Sequence, residues 1–182
     1  MPYKHLGLLS VIILSIGLLF VIYKWPLSKH QTFSQHVAQR RSSILYYIAL
    51  FGITLPPFVL FFVGWFTPNF GIAPLANVFV VLSAIFQIAC TLVPETGGRK
   101  TQWHRALAGL SALCLVPVLM FVAANHNVSG LPRAATFTSL GIMGYCIRLV
   151  ALARGEPRNF LLVQCAYFAA FFVPILLISY LV

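Results

Sequence analysis

Phe58-Val59-Leu60-Phe61-Phe62 is apolar at five successive positions, and Val11-Ile12-Ile13-Leu14 at four. A membrane β-barrel would need strict apolar/polar alternation over about ten residues. Uninterrupted runs belong instead to an element with apolar surroundings on every side. Extended outward, each lies in a stretch long enough to cross a bilayer core of about 30 Å as a helix of roughly 20 residues. Six such stretches occur, at 6–23, 43–66, 72–93, 104–124, 134–153 and 160–182. Helices satisfy their own backbone polar groups and so can cross lipid. The sequence predicts an all-α integral membrane protein, a six-helix transmembrane bundle forming one domain over 1–182.

Composition agrees. Of the 182 residues 60% are hydrophobic and 8% are charged, whereas a soluble domain carries about 25% charged residues. Twelve Lys and Arg stand against two acids, Glu95 and Glu156, for a net charge of +10. A basic chain raises nucleic acid as a partner when its cations cluster on a polar face. Here they are sparse in an apolar chain, so no nucleic acid is expected. Cys90, Cys114, Cys146 and Cys165 all fall inside predicted helices without a Cys-x-x-Cys pair, and read as inert buried thiols. The first span follows Lys4 as a signal peptide might, yet it ends in Tyr23-Lys24-Trp25-Pro26. That is an interface ending rather than a cleavage site, so the span is read as retained.

The cations encode orientation, because cytoplasmic loops collect Lys and Arg. The first connector holds Lys24, Lys29, Arg40 and Arg41, the third Arg99, Lys100 and Arg105, the fifth Arg154 and Arg158. Arg148, about a turn inside the fifth span, snorkels to the same side. Only Lys4 and Arg133 lie opposite. The expectation is a multi-pass protein of the cell (plasma or inner) membrane with both termini outside the cytoplasm. Its outer connectors, Thr67-Pro68-Asn69 and Asn125 to Pro132, are short. The stretch 24–42 is expected to lie in the interface, with Trp25 and Phe33 in the headgroups. Pro56-Pro57, Pro117 and Pro174 fall inside even-numbered spans, where each removes a hydrogen bond and kinks its helix. Their spacing suggests three helical hairpins.

Polar residues inside spans are the default functional candidates. Asn77, Gln87, Arg148 and Gln164 are these. None but Arg148 is ionisable, and the lack of a carboxylate at mid-depth argues against ion-coupled symport. Interhelical hydrogen bonding, worth about 0.6 kcal/mol each, is the simpler role for the glutamines. His5, His30, His36, His104 and His126 lie at helix ends or in connectors, so a haem between helices is not expected. His30, His36, His104 and Glu95 share the inner face and are weak zinc candidates by ligand type, with no recognised spacing. No metal or other cofactor is assigned. The connector Val93-Pro94-Glu95-Thr96-Gly97-Gly98-Arg99-Lys100-Thr101-Gln102-Trp103-His104-Arg105 is the most informative segment. Pro94 stops the third helix, Gly97-Gly98 permits a tight turn with positive φ, Trp103 fits the interface, and His104 begins the fourth helix. Glu95 is expected to pair with Arg99, Arg105 or Arg148. No base and acid are placed for Ser, Cys or Thr catalysis, and no Walker, Rossmann or His-Glu-x-x-His pattern occurs.

This segment resembles a bacterial and archaeal membrane family of about six helices, catalogued as domain of unknown function 998. That family typically has Phe-Pro after its third helix, then an acid, a glycine turn, and a histidine opening the fourth helix. Val93-Pro94-Glu95 and His104 are similar. Gln31-Thr32-Phe33-Ser34-Gln35, after Pro26-Leu27, is similar to the family's His-Thr-Ile-Ser-Glu. The chain departs at Val93, Gln31 and Gln35, where the family has an aromatic residue, a histidine and an acid. The resemblance sets Thr32 and Ser34 beside Glu95 and His104; with Arg99 and Arg105, the basic residues of the same connector, these form a candidate polar site on the inner face. Relatives with a basic N-terminus imply the opposite orientation; the chain's own charges are followed here. The damage-regulated autophagy modulator family is a remoter neighbour, and neither resemblance implies a particular activity.

Three functions fit. The first is a non-enzymatic bundle that binds membrane lipids, with anionic headgroups on its basic face, or a membrane-protein partner or second copy. The second is a small transporter or channel, with a polar path through Asn77, Gln87 and Gln164. The third is an interfacial enzyme, metal-dependent or not, using His30, His36, His104 and Glu95.

Overall fold

A computed structural model describes residues 3–26, 31–152 and 159–182. Among them no strand occurs, and six helices are long and apolar enough to cross a membrane. They are α1 (Lys4–Lys24), α3 (Arg41–Phe70), α4 (Leu75–Leu92), α5 (Gly98–Ala124), α6 (Gly130–Leu152) and α7 (Phe160–Leu181). One short helix, α2 (Phe33–Val37), lies between α1 and α3. The chain is an all-α multi-pass membrane protein. Ile16, Leu19, Ile53 and Leu162 all point outward and are exposed. In water such a surface would drive association; in lipid it is the expected outer face.

Consecutive spans pack most closely: α1 on α3, α4 on α5, and α6 on α7, with α3–α4 and α5–α6 contacts joining the pairs. Helix α3 is central. Its Phe58, Phe61, Phe62 and Phe66 enter one core with Val80 of α4, Val118 and Val122 of α5, Met143 of α6, and Phe171 and Ile175 of α7. A second cluster joins Leu14, Leu18 and Val21 of α1 to Tyr47, Leu50 and Phe51 of α3. Lipid tails are as apolar as leucine, so helices associate here through close packing and interhelical hydrogen bonds. Both are present. An added Cβ on Gly17 would overlap Leu50 Cδ1, and one on Gly7 would lie 2.6 Å from the Phe61 ring. Ser83 of α4 and Ser111 of α5 each donate to the other's carbonyl at 3.0 Å.

Several boundaries differ from the sequence reading. Thr67-Pro68-Asn69 is helical, not a connector: the π-helical turn Phe62–Phe66 carries α3 onward, and it ends where Gly71 adopts φ +63°. Helix α5 begins at Gly98 rather than at His104, because the Gly97 and Gly98 backbones turn with positive φ and Gly97 N donates to Thr101 Oγ1 at 2.8 Å. His104 therefore sits nearly two turns inside the helix. Helix α6 begins at Gly130, which puts Pro132 in its first turn, where a missing N–H costs nothing. Helix α4 begins at Leu75 rather than 72, so Asn77 lies in its first turn. Pro56, Pro57, Pro117 and Pro174 are intrahelical as expected.

Phe33 does not lie in headgroups. Helix α2 drives it and Val37 into the second cluster, where both are buried, and Trp25 packs against Phe20 and Tyr46. The whole of α2 thus folds inward against the end of the bundle where α1 stops and α3 starts.

Candidate functional site

At that end one carboxylate organises three segments. Pro94 follows the end of α4, and the chain then places Glu95 inward, its side chain 2% exposed. A buried carboxylate is costly unless donors fill its lone pairs. Four do. Thr32 Oγ1 and Ser34 Oγ donate to Oε2 at 3.0 and 2.8 Å; Gln35 Nε2 and Arg105 Nε donate to Oε1 at 3.4 and 2.8 Å. Arg105 projects from α5 with its side chain 53% exposed, so it bridges the buried acid and the surface.

Local sequence explains why α2 can present these groups. Thr32-Phe33-Ser34-Gln35 is a capping box: Gln35 N donates to Thr32 Oγ1 at 3.1 Å, and Thr32 N donates to Gln35 Oε1 at 2.8 Å. With its own end satisfied, the helix turns Thr32, Ser34 and the Gln35 amide toward Glu95. Phe33 N, another free helix-start donor, is taken by Gln164 Oε1 of α7 at 3.1 Å.

His104 lies beside this network but not in it. Its Nδ1 is 2.6 Å from the Val93 carbonyl, which can only accept, so Nδ1 carries the proton and Nε2 offers a lone pair. The Cys90 sulfur is 3.3 Å from that Nε2 and buried. This contact ties the end of α4 to α5. Tyr47 of α3 is buried in the second cluster nearby. His36 is likewise fixed by Nδ1–H donation to the Trp25 carbonyl at 2.9 Å, and its buried Nε2 has no hydrogen-bond partner among the described residues.

Of the candidate inner-face residues, the structure brings together Glu95, Arg105, Thr32 and Ser34. His104 is adjacent with different partners, and Arg99 is exposed in the first turn of α5, away from the carboxylate. In the sequence Gln35 stands only as a departure from the family pattern and Cys90 only as an inert thiol, so neither is a site candidate there. Gln35 was identifiable there, since Thr-x-x-Gln before an apolar run signals a capping box. Of the weak metal candidates, His36 and His104 each bind a backbone carbonyl, and among the described residues no three of His, Cys, Asp and Glu gather as ligands. His30 lies outside the described residues, as do Lys29, Arg154 and Arg158. The intramembrane amides serve separate ends. Asn77 accepts from Thr67 Oγ1 at 2.6 Å, Gln164 holds α2, and Gln87 is half-buried on α4 between them. Arg148 is exposed one turn before the end of α6.

Lys24, Arg40, Arg41, Arg99, Lys100 and Arg105 surround the Glu95 end, all exposed. Arg99 and Lys100 occupy the first turn of α5, whose Gly97 N-cap supplies no side-chain acceptor and which has no acidic residue. Cations there oppose the helix dipole. A groove of about 470 Å³ runs along α6 and α7, lined by Ala134, Ala135, Ala166 and Ala169 among others. Comparison with protein-family models, curated proteins and solved structures finds no match for this chain.

Proposed function

We propose that this protein is a non-enzymatic, lipid-binding membrane bundle that holds anionic headgroups at its Glu95 end. The observation that carries the reading is the contrast between Glu95 and its neighbours. The carboxylate is saturated by four donors and buried, which suits a brace rather than a proton carrier or a base. Arg99 and Lys100 are exposed on an uncapped helix start. A phosphate headgroup there would accept the free N–H groups, balance the two cations and relieve their opposition to the dipole. Resemblance to the domain of unknown function 998 family, through Pro94-Glu95 and His104, belongs to the same proposal.

Native mass spectrometry of protein purified in mild detergent with phosphatidylglycerol and phosphatidylcholine tests it. The wild type should retain phosphatidylglycerol in preference. Each basic residue near an anionic surface contributes about 1 kcal/mol, so Arg99→Gln with Lys100→Gln should weaken that retention by roughly thirtyfold and leave phosphatidylcholine unchanged. Equal retention of both lipids by both proteins overturns the reading.

The basic end faces the cytoplasm in this proposal, which sets both termini outside. A reporter active only in the cytoplasm, fused after Val182, should stay inactive; strong activity there reverses the orientation.

A further inference from the structure

At the opposite end of the bundle a cation is held without any carboxylate among the described residues. Trp65 lies in the π-helical turn of α3, a rare geometry that often marks functional positions. Its ring is fixed on two sides: Phe61 stacks at 5.7 Å and 25°, and Phe70 meets it edge-on at 5.7 Å and 85°. Tyr180 comes from the last turn of α7, with its hydroxyl 3.1 Å from His5 Nδ1. Lys4 Nζ sits 4.9 Å from the Tyr180 ring centre and 5.5 Å from that of Trp65. One ammonium is therefore shared by two rings from different helices, at the depth where aromatic side chains meet headgroups.

Both distances fall within the range of cation–π attraction. Lysine is a poor occupant of such a site, because its compact ammonium is strongly hydrated. Quaternary ammonium ions shed water readily and are the ligands that aromatic cages select. Both rings remain partly accessible, Tyr180 at 40% exposure. We propose that Trp65 and Tyr180 form an alkylammonium site, filled by Lys4 in the ligand-free chain and open to a quaternary ammonium group that displaces it. The ligand is either the headgroup of a choline-type lipid or a free quaternary ammonium solute. This site is independent of the anionic-lipid reading at the Glu95 end.

The test makes Trp65 the sole tryptophan by Trp25→Phe and Trp103→Phe, then titrates tetramethylammonium chloride in maltoside detergent against a sodium chloride control. Trp65 emission should change saturably in Lys4→Gln, with a midpoint about tenfold below that of wild type, the scale of a desolvated cation–π contact. Tyr180→Leu in the Lys4→Gln background should abolish saturation, whereas Tyr180→Phe, which keeps the ring, should retain it. In nanodiscs, loss of the titration with phosphatidylcholine but not phosphatidylglycerol assigns the site to a lipid headgroup. An undiminished titration in both assigns it to a solute. No saturable response in Lys4→Gln, an unchanged response after Tyr180→Leu, or equal midpoints with and without Lys4 overturns the proposal.

Discussion

Glu95→Ala should lower the thermal unfolding midpoint of the detergent-solubilised protein by about 10 °C, the scale expected for a loss of about 3 kcal/mol in a chain this size. The substitution removes the charged acceptor of the buried Thr32 and Ser34 hydroxyls, which lie 2.7 Å apart and can then satisfy only one of the two donors between them. Such bonds are worth about 1.5–3 kcal/mol each, and an unmade one costs desolvation besides. Arg105 adds little, because a half-exposed ion pair contributes about 0–1 kcal/mol. Arg105→Gln should therefore cost about 1 kcal/mol or less. The ordering discriminates: Glu95→Ala must far exceed Arg105→Gln, and Thr32→Ala must fall between, since it loses one clasp bond and the α2 cap together. A Glu95→Ala melt within 2 °C of wild type, on the same scale, would show that the network braces nothing. Gln35→Glu extends the test. It would replace a donor to Oε1 by a second carboxylate, so it should destabilise despite keeping the capping-box geometry.

The second large effect is expected at Gly7. Gly7→Ala should cost about 2 kcal/mol, within the range for overpacking a tight contact, and more than Gly17→Ala. Both positions face α3 at distances no real Cβ tolerates. What differs is the neighbour. At Gly17 the obstacle is the terminal methyls of Leu50, which can rotate away. At Gly7 it is the body of the Phe61 ring, which is fully buried and packed against Phe58, Trp65 and Phe66. Thermal unfolding of the two variants decides this, with Leu50→Ala expected to rescue Gly17→Ala. Equal losses at both positions would mean that ring rigidity does not set the cost.

Much of this was legible in the sequence. Unbroken apolar runs gave the six spans, and a lone acid after Pro94, beside three basic residues, marked Glu95 before its partners were known. Thr32 and Ser34 were reached through family resemblance rather than chemistry. What stayed hidden has a common cause. In a membrane protein the inner core and the lipid face are equally apolar, so composition cannot say which phenylalanines turn inward. Phe33 was assigned to headgroups for that reason. The π turn at Phe62–Phe66 has no compositional mark. Gln164 meets Phe33 across 131 positions, a distance over which periodicity carries no information.

That long reach has a consequence for biosynthesis. The residues of α2 are made early, yet Thr32 waits for Glu95, 63 positions later, and Phe33 N for an oxygen on the last helix. During synthesis the connector between α1 and α3 lacks its acceptor until the Pro94-Glu95 segment has been made. A chain arrested before α7 would already hold α2 to Glu95, yet leave Phe33 N without the Gln164 oxygen that completes the closure.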